Sequence, residues 1–418
     1  MMGRVFAACI GLSCFAIGLA GQSGTSDTAQ EHAERGVQFA RAGNLISAEA
    51  ELRRAVGLAP NDASYLTSLG GILGMEQKLA EANVYFERAV KCDPANAAAR
   101  RNLAANEWRL GQFKQAQTNL ERLLRDQPHD KVATLLLGMV SENEHDYARA
   151  AELLASVPEL VQQRPESVAA LASAYYHTER RRQARALLEA LPAGSNSPGG
   201  ILAAGGVAVR AHDYAIAEKL FESVRSSFSA GHARGEVYNL LGMVEMKMDH
   251  FTDAIRSYSQ ALELDPKSLD AQVGLASAKW AAGMRSEAEA QFQILLKQHP
   301  RDASVYENYG TSLLNNGTDD AMLAHADALL RKSVELDNSR AEAHYQLGMV
   351  ALKRNPADIS PETMHEALSQ LQTAVRLGLD ESRVHYALAR VYRRLGREDD
   401  AAKEMLLYQQ ESGAAQGK

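Results

Sequence analysis

Apolar and small residues recur along the chain at i, i+3, i+4 and i+7, which is the spacing of one face of an α-helix. Within residues 63–92 they form two stripes, which consist of Leu66, Leu69, Gly70 and Leu73 and then of Ala82, Phe86 and Ala89. Pro94 follows the second stripe, and a proline cannot sit in a helix interior because it lacks an N–H donor. The pattern therefore predicts a helical hairpin that ends at a proline turn.

The same pattern returns at a fixed interval. A small residue, an alanine and a proline follow one another at steps of 12 residues in five segments: Gly36, Ala48 and Pro60; Gly70, Ala82 and Pro94; Ala104, Ala116 and Pro128; Gly242, Ala254 and Pro266; Ala276, Ala288 and Pro300. The first three prolines are 34 residues apart, which indicates a repeat array. Ordering costs about 1.5 kcal/mol per residue, so a single hairpin needs a neighbour to cover its apolar face.

The chain resembles the tetratricopeptide-repeat family. The family pattern is matched closely by Tyr238, Leu241, Gly242, Ala254, Tyr258, Ala261 and Pro266, and in part by Tyr306, Tyr309 and Gly310. The resemblance implies an all-α, right-handed superhelical solenoid of stacked helix-turn-helix hairpins. We expect eleven units, beginning near residues 29, 63, 97, 131, 165, 198, 235, 269, 303, 341 and 382, with about five within 29–192 and about six within 201–410.

The repeat is interrupted at several places. Pro158 falls where the second helix of the fourth unit should continue, so that helix is expected to be short. Residues 193–200 are rich in Gly, Ser and Pro, which predicts a loop that acts as a hinge. Residues 411–418 lie beyond the last unit and are expected to form a disordered tail.

The N-terminus is typical of a secretory signal peptide. Arg4 precedes an uncharged stretch, 5–20, that ends in Gly-Leu-Ala, and small polar residues follow it. We predict a signal peptide at 1–20, cleaved near Ala20, and a linker at 21–28, so that the mature chain is periplasmic or secreted. The alternative is a membrane anchor formed by residues 5–20, although a spanning helix usually needs about 20 apolar residues.

Charge and cysteine content narrow the function classes. The net charge is −7 and there is no long basic block, which argues against a nucleic-acid partner. Of the three cysteines, Cys9 and Cys14 lie in the predicted signal peptide, which leaves Cys92 alone. A lone thiol near the end of an amphipathic helix is expected to be a small buried side chain.

Motifs that carry catalysis are missing from the sequence. The histidines never come closer than 16 residues, so there is no His-x-x-x-His helix for a metal. Neither a P-loop nor a Gly-x-Ser-x-Gly elbow occurs. We therefore expect no catalytic residue, metal ligand or cofactor, and a function in binding.

The resemblance implies that first helices line a concave groove in which ligands bind. Residues one and four positions after the Leu-Gly pair are expected to point into it, and they form an apolar set: Met139, Met243, Met246, Met349, Trp108, Trp280, Tyr176, Leu314 and Leu352. Methionine adapts to varied apolar partners, so the set suits a protein or peptide ligand. The alternative is that these side chains pack against neighbouring first helices.

The last unit carries a second candidate site. Arg383, Arg390, Arg393 and Arg394 have spacings that bring them toward one side of a helix, where they could hold an acidic ligand. The alternative is that they solvate a terminal helix.

These features together predict an exported scaffold for protein–protein interaction, with a role in assembling a bacterial envelope complex. The alternative is an accessory subunit of a polysaccharide or peptidoglycan synthesis or export system. Membrane association is expected only if the N-terminal segment is retained as an anchor.

Overall fold

The computed structural model describes residues 28–191, 197–228, 231–316, 319–354, 360–379 and 382–415. Over these ranges the chain forms 23 α-helices and no strand. The helices are α1 Ala29–Arg41, α2 Leu45–Leu58, α3 Ala63–Met75, α4 Leu79–Cys92, α5 Ala97–Arg109, α6 Phe113–Asp126, α7 Lys131–Asn143, α8 Tyr147–Ala155, α9 Pro158–Gln162, α10 Pro165–His177, α11 Arg181–Glu189, α12 Pro198–Arg210, α13 Tyr214–Val224, α14 His232–Lys247, α15 Phe251–Leu264, α16 Leu269–Ala281, α17 Arg285–Gln298, α18 Ala303–Asn316, α19 Asp320–Leu336, α20 Ala341–Lys353, α21 Pro361–Arg376, α22 Ser382–Arg394 and α23 Glu398–Ala415.

Apart from α9, the helices pair as consecutive hairpins, which confirms the predicted fold class. All the first helices begin at the predicted residue except α14, which begins three residues earlier, at His232. The short second helix of the fourth unit is also confirmed, because α8 ends at Ala155 and Pro158 opens the separate helix α9. Neighbouring helices along the chain contact one another, and so do successive first helices such as α16 and α18.

Helix boundaries follow from local chemistry. Asp62, Asn96 and Asp130 cap α3, α5 and α7, and each side chain accepts a hydrogen bond from a backbone N–H in the first turn. The bend inside a hairpin uses a residue in the left-handed backbone region, at Gly43, Gln77, Gly111, His145, Glu179, His212, Asp249, Gly283 and Gly396. A recurring left-handed residue reverses the chain at the same register in successive hairpins.

Small residues let the two helices of a hairpin approach closely. A Cβ atom on Gly70 would lie 2.7 Å from Cε1 of Phe86, so the glycine is required by the ring packed against it. The Tyr258 ring lies between Gly242 and Gly274, where added Cβ atoms would lie 2.9 and 2.4 Å from its carbons. The 34-residue spacing of small residues is thus a consequence of helix packing.

The chain divides into two compact units at Val207, within α12. In the first unit the core is built from side chains such as Leu52, Leu69 and Phe86, all at most 1% exposed. In the second unit the rings of Phe292 and Tyr309 stack with centroids 4.6 Å apart. Each unit therefore has a core of its own.

Three expectations from the sequence need correction or fall outside the described ranges. Residues Pro198–Gly200 form the first turn of α12, since proline is well suited to a helix start, so the predicted loop at 193–200 is shorter. The predicted tail at 411–418 is helical as far as Ala415, because no proline interrupts an alanine-rich end. Residues 1–27 and 192–196, with the predicted signal peptide and most of the hinge, lie outside the described residues.

Cys92 is exposed, contrary to the prediction that it is buried. It is the last residue of α4, where the helix has already left the apolar face formed by Ala82, Phe86 and Ala89. A search of the described helices finds none with the length and apolar character needed to cross a membrane.

Candidate functional site

Four of the predicted groove residues belong to the core. Met139, Trp280, Leu314 and Leu352 are 4, 3, 1 and 2% exposed. Successive first helices pack side by side, and the next first helix covers these positions, as α10 does when the hydroxyl of Ser167 approaches the sulfur of Met139 at 3.6 Å. Their prediction as an open apolar lining is therefore wrong.

Two further predicted residues of the first unit are half-buried and take part in internal contacts. Nε1 of Trp108 donates a 2.6 Å hydrogen bond to Asn143, which ties α5 to α7. The guanidinium of Arg181 lies 5.6 Å from the ring centroid of Tyr176. These contacts hold neighbouring helices together, so Trp108 and Tyr176 have structural roles in the first unit.

The second unit contains a pocket on the faces of its first helices. Its volume is about 260 Å³, and it is lined by Lys247 of α14, Thr311, Leu314 and Asn315 of α18, Glu342, Tyr345, Gln346, Met349 and Lys353 of α20, and Arg383 of α22. Three predicted residues, Leu314, Met349 and Arg383, come together here. Met243 and Met246 are half-buried on α14 and do not line this pocket.

One wall of the pocket is an ion pair between successive first helices. Nη1 and Nη2 of Arg383 donate hydrogen bonds of 3.0 and 2.7 Å to the two carboxylate oxygens of Glu342. The same guanidinium lies 4.6 Å from the ring centroid of Tyr345. Burial raises the pKa of Glu342, but the hydrogen bonds and charge of Arg383 outweigh it and hold the pKa below its ordinary value.

Lys353 forms the opposite wall. Its ammonium donates hydrogen bonds of 2.5 and 3.4 Å to the backbone carbonyls of Leu314 and Asn315 in the last turn of α18. Carbonyls at a helix C-terminus lack partners within the helix and attract a cation. Burial lowers the pKa of Lys353, which shows that this cation is partly removed from water.

The predicted arginine site is wrong in its composition. Nη2 of Arg390 and Nη2 of Arg394 donate to the carbonyl of Leu352 at 3.4 and 3.2 Å, and they complete the C-terminal end of α20. Arg393 is exposed, since one residue along a helix turns the side chain by about 100°. Only Arg383 of the predicted set lines the pocket.

Sequence reasoning missed the charged residues Lys247, Glu342 and Lys353. One signal was available: Glu342 and Arg383 are 41 residues apart, as are the matching dipeptides His344-Tyr345 and His385-Tyr386. Opposite charges at one register of adjacent units indicate an ion pair between them. The approach of Lys247 to the pocket skips a whole hairpin and left no such signal.

The pocket suits binding. No group of three His, Cys, Asp or Glu side chains that could hold a metal ion occurs in the described part of the chain. Three cations and one carboxylate surround apolar surface from Leu314, Tyr345 and Met349. Such a lining recognises a ligand that carries an anionic group next to an apolar one.

Comparison with known proteins decides the family. Family models described as tetratricopeptide repeat match residues 75–138, 245–308 and 365–415. The chain is a tetratricopeptide-repeat protein. Repeats of this kind form extended concave binding surfaces and are in general scaffolds for other proteins.

Individual tetratricopeptide-repeat proteins are similar to parts or all of the chain. The TPR repeat-containing thioredoxin TTL4 of Arabidopsis thaliana is 35% identical over 80 residues, which are 19% of this chain and 12% of that protein. Yeast Tom70 is 15% identical, with a TM-score of 0.46 and 92% of each chain covered. A tetratricopeptide-repeat protein from Parabacteroides merdae is 17% identical, with a TM-score of 0.33, covering 87% of this chain and 98% of that one.

Proposed function

We propose that the chain is an exported scaffold that binds a protein or peptide segment in the pocket of its second unit, within a bacterial envelope assembly. The observation that carries the proposal is the lining of that pocket, in which cations and apolar side chains from four first helices face one cavity. Export rests on the pattern of residues 1–20 and is part of the proposal.

The charge of the pocket favours an acidic segment. Lys247, Lys353 and Arg383 contribute three positive charges, against one negative charge from Glu342. An acidic side chain of the ligand would approach Lys247, which is exposed at the end of α14. An adjacent apolar side chain of the ligand would contact Met349 and Tyr345.

Affinity capture from the native host tests this proposal, with residues 21–418 as bait. Lys247→Glu reverses an exposed charge at the pocket, so it should leave the fold unchanged and weaken capture of the specific partner at least about tenfold. Lys297→Glu is the matched control, because Lys297 is exposed on the second helix α17.

The partner's identity and the controls distinguish the outcomes. Envelope proteins that are retained by the parent chain and by Lys297→Glu, but lost by Lys247→Glu, support the pocket and the location. A glycosyltransferase or a synthase among them would favour the accessory-subunit alternative. Equal capture by all three baits would place the binding site elsewhere.

A further inference from the structure

The last hairpin, α22 and α23, exposes apolar side chains on the side where each inner hairpin meets the next one. Tyr386 of α22 is 44% exposed and Leu406 of α23 is 56% exposed. Exposed side chains of this size cost little singly, but their register in the repeat gives them meaning.

Tyr386 occupies in α22 the position that Tyr345 occupies in α20, 41 residues earlier. Tyr345 is only 8% exposed, because α22 packs on α20 and the guanidinium of Arg383 lies over its ring. A following first helix would cover Tyr386 in the same way. No helix follows α23 in the ranges that the structure describes.

Leu406 also occupies an inter-hairpin contact position. It stands five residues after the buried Ala401, and residues five after the equivalent alanines of α2, α6 and α19 form ion pairs with the second helix of the next hairpin. These pairs are Arg53 with Glu81 at 2.5 Å, Glu121 with Arg149 at 2.8 Å and Arg331 with Glu366 at 2.6 Å. In the last hairpin an apolar side chain replaces the charge.

We propose that this end face docks on the same face of a second copy of the chain, forming a two-fold dimer. The rings of Tyr386 and Tyr408 contact each other with centroids 5.3 Å apart, which gives the face an apolar centre together with Leu406. Burial of this apolar surface against a second copy would continue the stacking interface that already joins the hairpins within the chain.

The charges on this face support a second copy as the occupant. A two-fold interface must be self-complementary, because one patch meets itself. The end of α22 exposes Arg393, while the start of α23 exposes Glu398 and Asp399, so each copy offers both signs of charge. The opposite end of the chain is less suitable, since α1 exposes Gln30, Glu31 and Gln38.

Sedimentation equilibrium of the full chain tests the dimer, which is independent of the proposed peptide pocket. We expect the parent chain to dimerise, and Leu406→Glu to raise the dimer dissociation constant at least about tenfold, because it places a charge in the apolar centre. Ile294→Glu is the matched control, since Ile294 is 52% exposed on α17, outside the end face. Far-UV circular dichroism checks that each variant remains folded, and Tyr386→Ala provides a second, uncharged perturbation.

Several results would overturn the proposal. A parent chain that stays monomeric at concentrations up to about 100 μM has no such interface of useful strength. A dimer that is unaffected by both Leu406→Glu and Tyr386→Ala would be formed by another surface. A monomer that loses a different co-purifying protein on Leu406→Glu would assign the face to that protein instead.

Discussion

At the scale of single residues, Glu107 is a carboxylate whose surroundings oppose its charge. Glu107 is 5% exposed in α5, and Nδ2 of Asn119 lies 3.0 Å from each of its carboxylate oxygens. Burial raises the pKa of Glu107 to about 6. The folded chain therefore binds this proton more tightly than the unfolded chain, so the free energy of unfolding falls as pH rises through the window that ends near pH 6.

The substitution Glu107→Gln tests this cost. The variant should be more stable than the parent by about 1 kcal/mol near neutral pH, and the gain should shrink as the pH is lowered through the window that ends near 6. Urea denaturation followed by circular dichroism at both pH values measures the difference. Glu121→Gln should do the opposite at neutral pH, because the hydrogen bonds of Gln117 and Arg149 lower the pKa of Glu121 and favour its charged form.

The three Leu-Gly-Met-Val segments show what local sequence cannot predict about a residue. Met139 is 4% exposed, whereas Met243 and Met349 are half-buried. The four letters are identical, so the difference comes from the neighbouring first helix that covers each methionine. The predicted groove therefore failed at Met139 and succeeded at Met349, for reasons set by residues about one repeat away.

At the scale of helices and hairpins, spacing predicted the structure well. The first helices begin where the repeat placed them because caps, prolines and small residues act within about one turn of the boundary. The pocket was less predictable, since it needs four first helices and Lys247 lies two hairpins before Glu342. Contacts over such a distance leave no periodic trace in the sequence.

Two adjacent glycines of α3 test the packing within a hairpin. Gly70→Ala should destabilise the chain by about 1–3 kcal/mol, because the new methyl group would overlap the Phe86 ring. Gly71→Ala is the matched control, since a Cβ there meets nothing within 4 Å, and it should stabilise by about 0.5–1 kcal/mol. Urea denaturation of both variants measures the two signs. Equal effects of the two substitutions would contradict the packing argument.

At the scale of the whole molecule, stability should vary along each unit, because every hairpin contacts only its neighbours. In the second unit, α16 and α18 are covered on both sides, whereas α22 and α23 are covered on one side. We expect amide hydrogen exchange in dilute solution to be slowest in α16 and α18 and fastest in α23. Mass spectrometry of peptic peptides measures the order. Uniform protection along the unit would show that it opens as a single block.

The regular inter-hairpin register makes the length of the chain an adjustable property. Removal of residues 63–96 would delete one hairpin and join Asp62 to Ala97, so that α5 would follow α2 at the spacing α3 has now. Arg53 would then face Gln115, the counterpart of Glu81, and a hydrogen bond could replace the ion pair. Loss or duplication of whole hairpins thus offers this chain a route to a shorter or longer span without redesign of its core.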